Sequence, residues 1–578
     1  MPWIGAAVGR CISARRPDVA EAIGSPAKAV QLMNAADDAG VVAQHAAQLP
    51  RTPREWLCVF GPGAIVASLT IGTGELIFST RGGALFGYRI LFLFVVISVL
   101  KWGLVLASSR HMVLTGVHPY ERMLELPGPR GWMLIVLLLM TIVCMPIWVS
   151  FHCGVIGNLT AWVTGTRDLF QGGIDYLWGG LILVILLAVS ASGGYHVLER
   201  VQMVIVGTLV VCAGATLLIY RPDWMELLWG GFVPQPLVYP DWLASKYPEV
   251  AKSSVYVETT RYVGVIGGAG FDYLAYTSFL REKRWGRAGA GRTTAEELRE
   301  IAADPRHEVR QWLKAPLIDS SIGFGLVVAF SAVFVASGTM FLGPNAKIPD
   351  EDNLLNLQAQ FVTQIHPWLL PLYVSGAMFT MIGTLYGTIE VACSVADEIV
   401  RSVASPWTKS RSRKLKWSMI AWCALGALGI LIWLFLRQAA EFTDGSHPVS
   451  AQAGDVGRVE PVDEPPAATG GEAVQRRKRP RLLLTILTPA NLFTGVLACG
   501  LICVLNLWMD RKFLPVGLRL PIWLLLLNLL SGLVFLLLGL KGFWDHESRW
   551  YAIGSMLTIL TTGIVLAVVL GRRRPVDS

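Results

Sequence analysis

The chain has 578 residues, 53% hydrophobic and only 16% charged, against roughly 25% charged in ordinary soluble domains. A mean hydropathy of +0.52, with 21 Trp and 58 Gly, excludes an ordinary cytosolic enzyme and replaces several soluble domains with one large polytopic membrane domain. The net charge of +8 points first to basic loops facing anionic lipid rather than to nucleic acid. The nine Cys contain no CxxC pair, so neither a disulfide framework nor a zinc site is implied.

Residues 1–56 are Ala-rich, mixed in charge and without an apolar run of signal-peptide length. They read as a cytosolic, partly disordered leader. A membrane span needs about 20 mostly apolar residues, and about twelve segments qualify: 57–86, 88–109, 131–151, 175–192, 200–220, 257–281, 316–340, 367–399, 416–437, 487–508, 519–541 and 549–571. The expected organisation is transmembrane helices 1–9 over 57–437, a disordered insertion over 438–481 rich in Pro, Gly, Ala and Glu, helices 10–12 over 482–571, and a cytosolic tail, 572–578. Basic residues cluster after the second span (Arg110, Arg122), the sixth (Arg281, Lys283, Arg284) and the eighth (Lys409, Arg411, Arg413), and again at Arg572-Arg573-Arg574. This alternation places both termini in the cytoplasm of a cell (inner or plasma) membrane. Loop 282–314 has the charge spacing of a short surface helix.

Two spans do not read as continuous helices. The first contains Gly72-Thr73-Gly74-Glu75 and the sixth Gly267-Gly268-Ala269-Gly270-Phe271-Asp272. Each Gly costs about 1 kcal/mol of helix propensity against Ala, so each cluster marks a point where the helix can unwind. Each is followed by a carboxylate, and an ionisable residue at membrane depth points to function. Free carbonyls beside two acids suit a cation. Broken spans five apart are the arrangement that two inverted five-helix repeats require. The bland alternative is close helix packing, for which Gly83/Gly87 and Gly383/Gly387 have GxxxG spacing.

These residues resemble the Nramp family of divalent-metal transporters. The resemblance is carried by Gly61-Pro62-Gly63, the Gly-x-Gly break, Gly87-Tyr88, Thr115-Gly116, Gly194-Tyr195 with Leu198-Glu199, Pro222-Asp223-Trp224, and Gly383-Thr384-Leu385-Tyr386-Gly387. It implies an all-α polytopic membrane protein with the leucine-transporter-type fold, two inverted five-helix repeats and one or two extra C-terminal spans. The departures fall at the metal site. The family's Asp-Pro-Gly-Asn stands here as Gly72-Thr73-Gly74-Glu75, and its Met-Pro-His as Gly270-Phe271-Asp272. The resemblance places a metal-binding backbone carbonyl near Gly267. Phe151 and Gly154 occupy the family's proton-route positions, with His152 beside them as a candidate proton-linked residue.

The substrate and ion-binding residues expected are therefore Gly72, Thr73, Gly74, Glu75, Gly267, Gly270 and Asp272, with Glu75 and Asp272 as metal ligands. Losing sulfur and gaining oxygen favours Mg, Mn or Ca as the transported cation, with no cofactor. Glu390 is a candidate for the inner pathway. Lys101 is expected to snorkel to the cytoplasmic interface, and Asp319 to sit near water. Partners reduce to the lipid bilayer and a small cation. The leading expectation is a secondary transporter in which spans one, two, six and seven rock against the rest. A transporter of an amine, amino acid or other small organic solute on the same scaffold is the alternative, and a non-transporting sensor the second. No HExxH, GxSxG or P-loop argues for an enzyme.

Overall fold

The structure is a computed structural model that describes residues 49–57, 59–192, 221–349, 367–403, 408–443, 482–545 and 549–572, with a few isolated positions between. The leader up to residue 48, nearly all of the fifth span and residues 444–481 lie outside the described residues. Everything regular within them is helical, as the hydrocarbon solvent demands of a spanning chain that is not a closed barrel.

Helix α1 (Pro62–Thr70) leads through a π-helical stretch (Ile71–Ser79) into α2 (Thr80–Phe86). The chain then turns at Gly87, whose φ of +63° suits glycine, into α3 (Ile90–Thr115). A short α4 (Pro119–Met123) precedes α5 (Trp132–Val163) and α6 (Ile174–Ser192). After α7 (Trp224–Phe232), capped by the Asp223 carboxylate, come the halves of the sixth span, α8 (Val255–Val265) and α9 (Gly270–Lys283). Then follow α10 (Ala295–Ala303), α11 (Lys314–Ser337), α12 (Leu370–Val403) and α13 (Lys409–Thr443). The tenth span is α14 (Leu482–Asn491), a π turn (Leu492–Leu497) and α15 (Ala498–Phe513). The last two are α16 (Ile522–Trp544) and α17 (Arg549–Arg572).

Among the described residues eight stretches are long and apolar enough to cross a membrane. The difference from twelve has physical causes. The first span runs on past its turn into the second, the fourth is shorter, most of the fifth is undescribed, and the sixth is broken into halves of 11 and 14 residues. The surface helix expected in loop 282–314 is α10, where Thr294 and Glu297 form a reciprocal capping box. Two boundaries move. The third span reaches Val163, because its polar second half (Ser150, His152, Asn158) is buried against protein instead of lipid. The ninth runs to Thr443, so residues 438–443 of the expected insertion are helix.

The bundle packs α11 against α1, α2 and α3, and α5 against α6, α12 and α13. Gly83 makes the first contact: a Cβ there would lie 2.2 Å from the Val335 carbonyl oxygen. Of the Gly83/Gly87 pair, one therefore packs helices and the other makes a turn.

Asp319 is not near water. It is 0% exposed on α11 and accepts the Gly61 N–H at 2.8 Å, the Gly63 N–H at 2.7 Å and the Tyr276 hydroxyl at 2.7 Å. The start of α1 leaves backbone N–H groups without helical partners, and this carboxylate satisfies two of them. Hydrogen bonds to charged groups contribute about 1.5–3 kcal/mol each. Asp319→Ala should therefore lower the melting temperature well below that of a surface Asp→Ala control, with Asp319→Asn in between. Equal melting temperatures for Asp319→Ala and wild type would refute the anchoring role.

Candidate functional site

The sixth span opens where its glycines predict. Ile266 leaves the helix with φ −60° and ψ 129°, Gly267 and Gly268 take φ of +79° and +93°, and Ala269 is extended before α9 begins. A helix opened in this way loses its i→i+4 partners, so its carbonyls need other donors. Lys101 supplies them. Its ammonium donates to the carbonyls of Val263 at 2.9 Å, Ile266 at 2.7 Å and Gly268 at 2.6 Å. Tyr273 adds its hydroxyl to the Gly267 and Gly268 carbonyls. Lys101 thus does not snorkel. It is 0% exposed, and the unwound backbone is the reason a charge can stay there.

The first span behaves differently. Ile71–Ser79 keeps a wide π-helical course with one non-helical residue, Gly72 (ψ −107°). The helix is interrupted at Gly72 by a kink within a π-helical stretch, a form found at functional sites. A Cβ on Gly72 would fall 1.7 Å from Thr384 Oγ1, so α12 presses on the kink. Thr73 and Gly74 are described as π-helical backbone only. Glu75 is 0% exposed, and neither carboxyl oxygen has a hydrogen-bond partner. The Lys101 ammonium interacts electrostatically with both Glu75 and Asp272, so one cation serves two acids.

Asp272 sits in the first turn of α9, where Oδ2 accepts the Ala269 N–H at 2.7 Å. Asp272 lines a small cavity of about 50 Å³, shared with Thr70, Thr384, Thr388, Thr494, His152 and Met145. The threonine hydroxyls each donate to a carbonyl four residues back, which leaves oxygen lone pairs for a cation. His152 is 3% exposed, stacks on Trp148 at 5.7 Å and has no partner for Nδ1. It therefore shares a cavity with Asp272. Met145 brings a thioether from α5, a sulfur that inspection of the sixth-span motif missed.

The remaining expected residues lie apart from this cavity. Gly270 opens α9 and packs on the tenth span, where a Cβ would meet that of Ala498 at 2.9 Å. Glu390 joins α12 to α13 through Lys416 at 3.0 Å from both carboxyl oxygens. Among the described residues no group of three or more His, Cys, Asp or Glu is placed to hold a metal ion. Any ion here relies on carboxylate, hydroxyl and carbonyl oxygens.

A clamp with no motif joins the other halves of the broken spans. Arg81 Nε on α2 reaches Glu258 on α8 at 2.5 Å and donates to the Pro349 carbonyl at 2.7 Å. Glu258 also accepts from Tyr262 at 2.7 Å and Arg261 at 3.3 Å. The pair is nearly fully buried.

These helices match the fold of the Eremococcus coleocola manganese transporter solved in complex with an aromatic bis-isothiourea substituted compound. The TM-score is 0.61 over 92% of this chain and 99% of that one, at 12% identity. The chain thus has the leucine-transporter-type fold. Residues 63–441 match the family described as natural resistance-associated macrophage protein-like, and the chain belongs to this Nramp family, whose members are transporters and not enzymes. Relatives include the divalent metal cation transporter MntH of Listeria innocua, 23% identical over 58% of this chain and 68% of the relative. MntH of Latilactobacillus sakei is 22% identical over 62% and 72%.

Removing one member of a buried ion pair costs about 3–5 kcal/mol, because the other charge is left uncompensated. Arg81→Ala should therefore destabilise strongly in a denaturation assay, and Arg81→Ala with Glu258→Gln should recover part of the loss. A double variant no more stable than the single one would contradict the clamp.

Proposed function

We propose that this chain is a secondary transporter that carries a hard divalent cation of the Mg, Mn or Ca type across the plasma membrane by alternating access. The observation that carries the reading is the Asp272 cavity. Asp272, in the first turn after the break, shares the cavity with threonines whose hydroxyl protons are committed to backbone carbonyls. Such an oxygen-rich set suits hard cations. The divalent metal cation transport for which the MntH relatives are named agrees. Met145 adds a thioether to a lining that also holds Leu69, Trp148, Val265 and Phe271, and a sulfur beside oxygen donors favours Mn over Ca within this group.

In this reading Glu75 and Asp272 supply the negative charge, and the two broken spans move relative to the rest of the bundle. The basic loops support cytoplasmic termini. His152, on the cavity wall, is the candidate proton carrier. Lys101 favours a second reading. A buried ammonium beside the two acids lowers the charge that a transported ion must balance, which suits a small organic monocation such as an amine.

Uptake into proteoliposomes separates these readings, with Mn²⁺, Mg²⁺, Ca²⁺ and methylammonium as substrates. Asp272→Ala and Glu75→Ala should each reduce divalent-cation uptake about tenfold or more, equivalent to about 1.4 kcal/mol or more, while remaining monodisperse. Wild-type uptake by both variants would refute the site. Saturable uptake of methylammonium alone would favour the amine.

A further inference from the structure

The break in the sixth span gathers three backbone carbonyls, those of Val263, Ile266 and Gly268, around one point. Clustered carbonyls replace the hydration shell of a monovalent cation. At that point stands the Lys101 ammonium. It has three N–H donors, and each is matched to one carbonyl between 2.6 and 2.9 Å. The groove is also shaped to the stem: a Cβ on Gly267 would lie 3.2 Å from Lys101 Cδ. Glu75, Asp272 and Cys499 lie near enough for the ammonium's charge to act on them, and the Tyr273 hydroxyl reaches the Gly267 and Gly268 carbonyl oxygens.

We propose that the carbonyl cluster at this break is a monovalent-cation site that the protein fills with its own Lys101 ammonium. Lys101 then acts as a tethered cation: it positions the opened backbone beside Asp272 and excludes a free cation from that point. The substrate meets only the Asp272 side of the break, and the opened helix keeps its shape without a dissolved ion. This goes beyond the transport reading, and the choline and potassium arms of its test use no candidate substrate.

Lys101→Ala removes the charge and empties the stem channel while leaving the carbonyls and acids in place. Purified wild type, Lys101→Ala and Lys101→Met are melted in choline, potassium and methylammonium chlorides at equal ionic strength. Wild type should melt at one temperature in choline and potassium, and any shift it shows in methylammonium is the baseline for the variants. Lys101→Ala should melt lower in choline and rise saturably with potassium or methylammonium. Lys101→Met, which refills the stem without charge, should stay low in all three. If Lys101→Ala yields no folded protein in choline, folded yield is read instead, and its recovery when the protein is extracted in methylammonium or potassium supports the proposal. Lys101→Met as stable as wild type would overturn it, because packing alone would then explain the lysine. So would a Lys101→Ala variant that gains nothing from either cation.

Discussion

A helix opened in the middle of a membrane frees carbonyl groups that water cannot reach, and each unsatisfied one costs several kcal/mol. Here three of them are taken up by a single ammonium from α3. That contact holds the sixth span open, and the open span turns Asp272 into the cavity it shares with α1, α5 and α12. The same contact explains how a lysine survives at 0% exposure. Neither the charge nor the break is tenable without the other.

The two broken spans are tied at opposite ends. Asp319 binds the start of α1 and, through Tyr276, the half-helix α9. Arg81 and Glu258 join α2 to α8. Each clamp holds one half of the first span to one half of the sixth. Alternating access requires contacts on one side to release while those on the other persist. The chemistry of the clamps differs: a carboxylate capping backbone N–H groups at one end, a buried ion pair at the other. The second breaks at the greater cost, since it strips a buried arginine of its carboxylate and leaves Glu258 with Arg261 as its cation.

Much of the architecture was legible because membrane spans are written locally. Length and hydropathy located the helices, and the glycines at 267 and 268 located the real opening because only glycine enters φ > 0 freely. In the first span the break is narrower: Gly72 alone leaves helical geometry, and a π stretch carries the chain across the kink to Ser79. What could not be read were pairings between distant spans. Lys101 meets acceptors 162–167 residues away, Arg81 meets Glu258 across 177, and Asp319 reaches back 256–258. Periodicity carries no information about such partners. A lysine in an apolar run signals function, but its nearness to a helix end made the interface look sufficient. Met145 was missed for the same reason, since it enters the cavity from a different span.

The central claim is that a transported cation binds at Asp272 while Lys101 keeps the adjacent carbonyls. An experimental structure of the protein loaded with Mn²⁺, with anomalous scattering recorded at the metal edge, tests it most directly. The account predicts a peak at coordination distance from the Asp272 carboxylate, bounded by the threonine hydroxyls, with the Lys101 ammonium still on Val263, Ile266 and Gly268. A metal peak on those three carbonyls with Lys101 turned away, or a peak remote from Asp272, would contradict it.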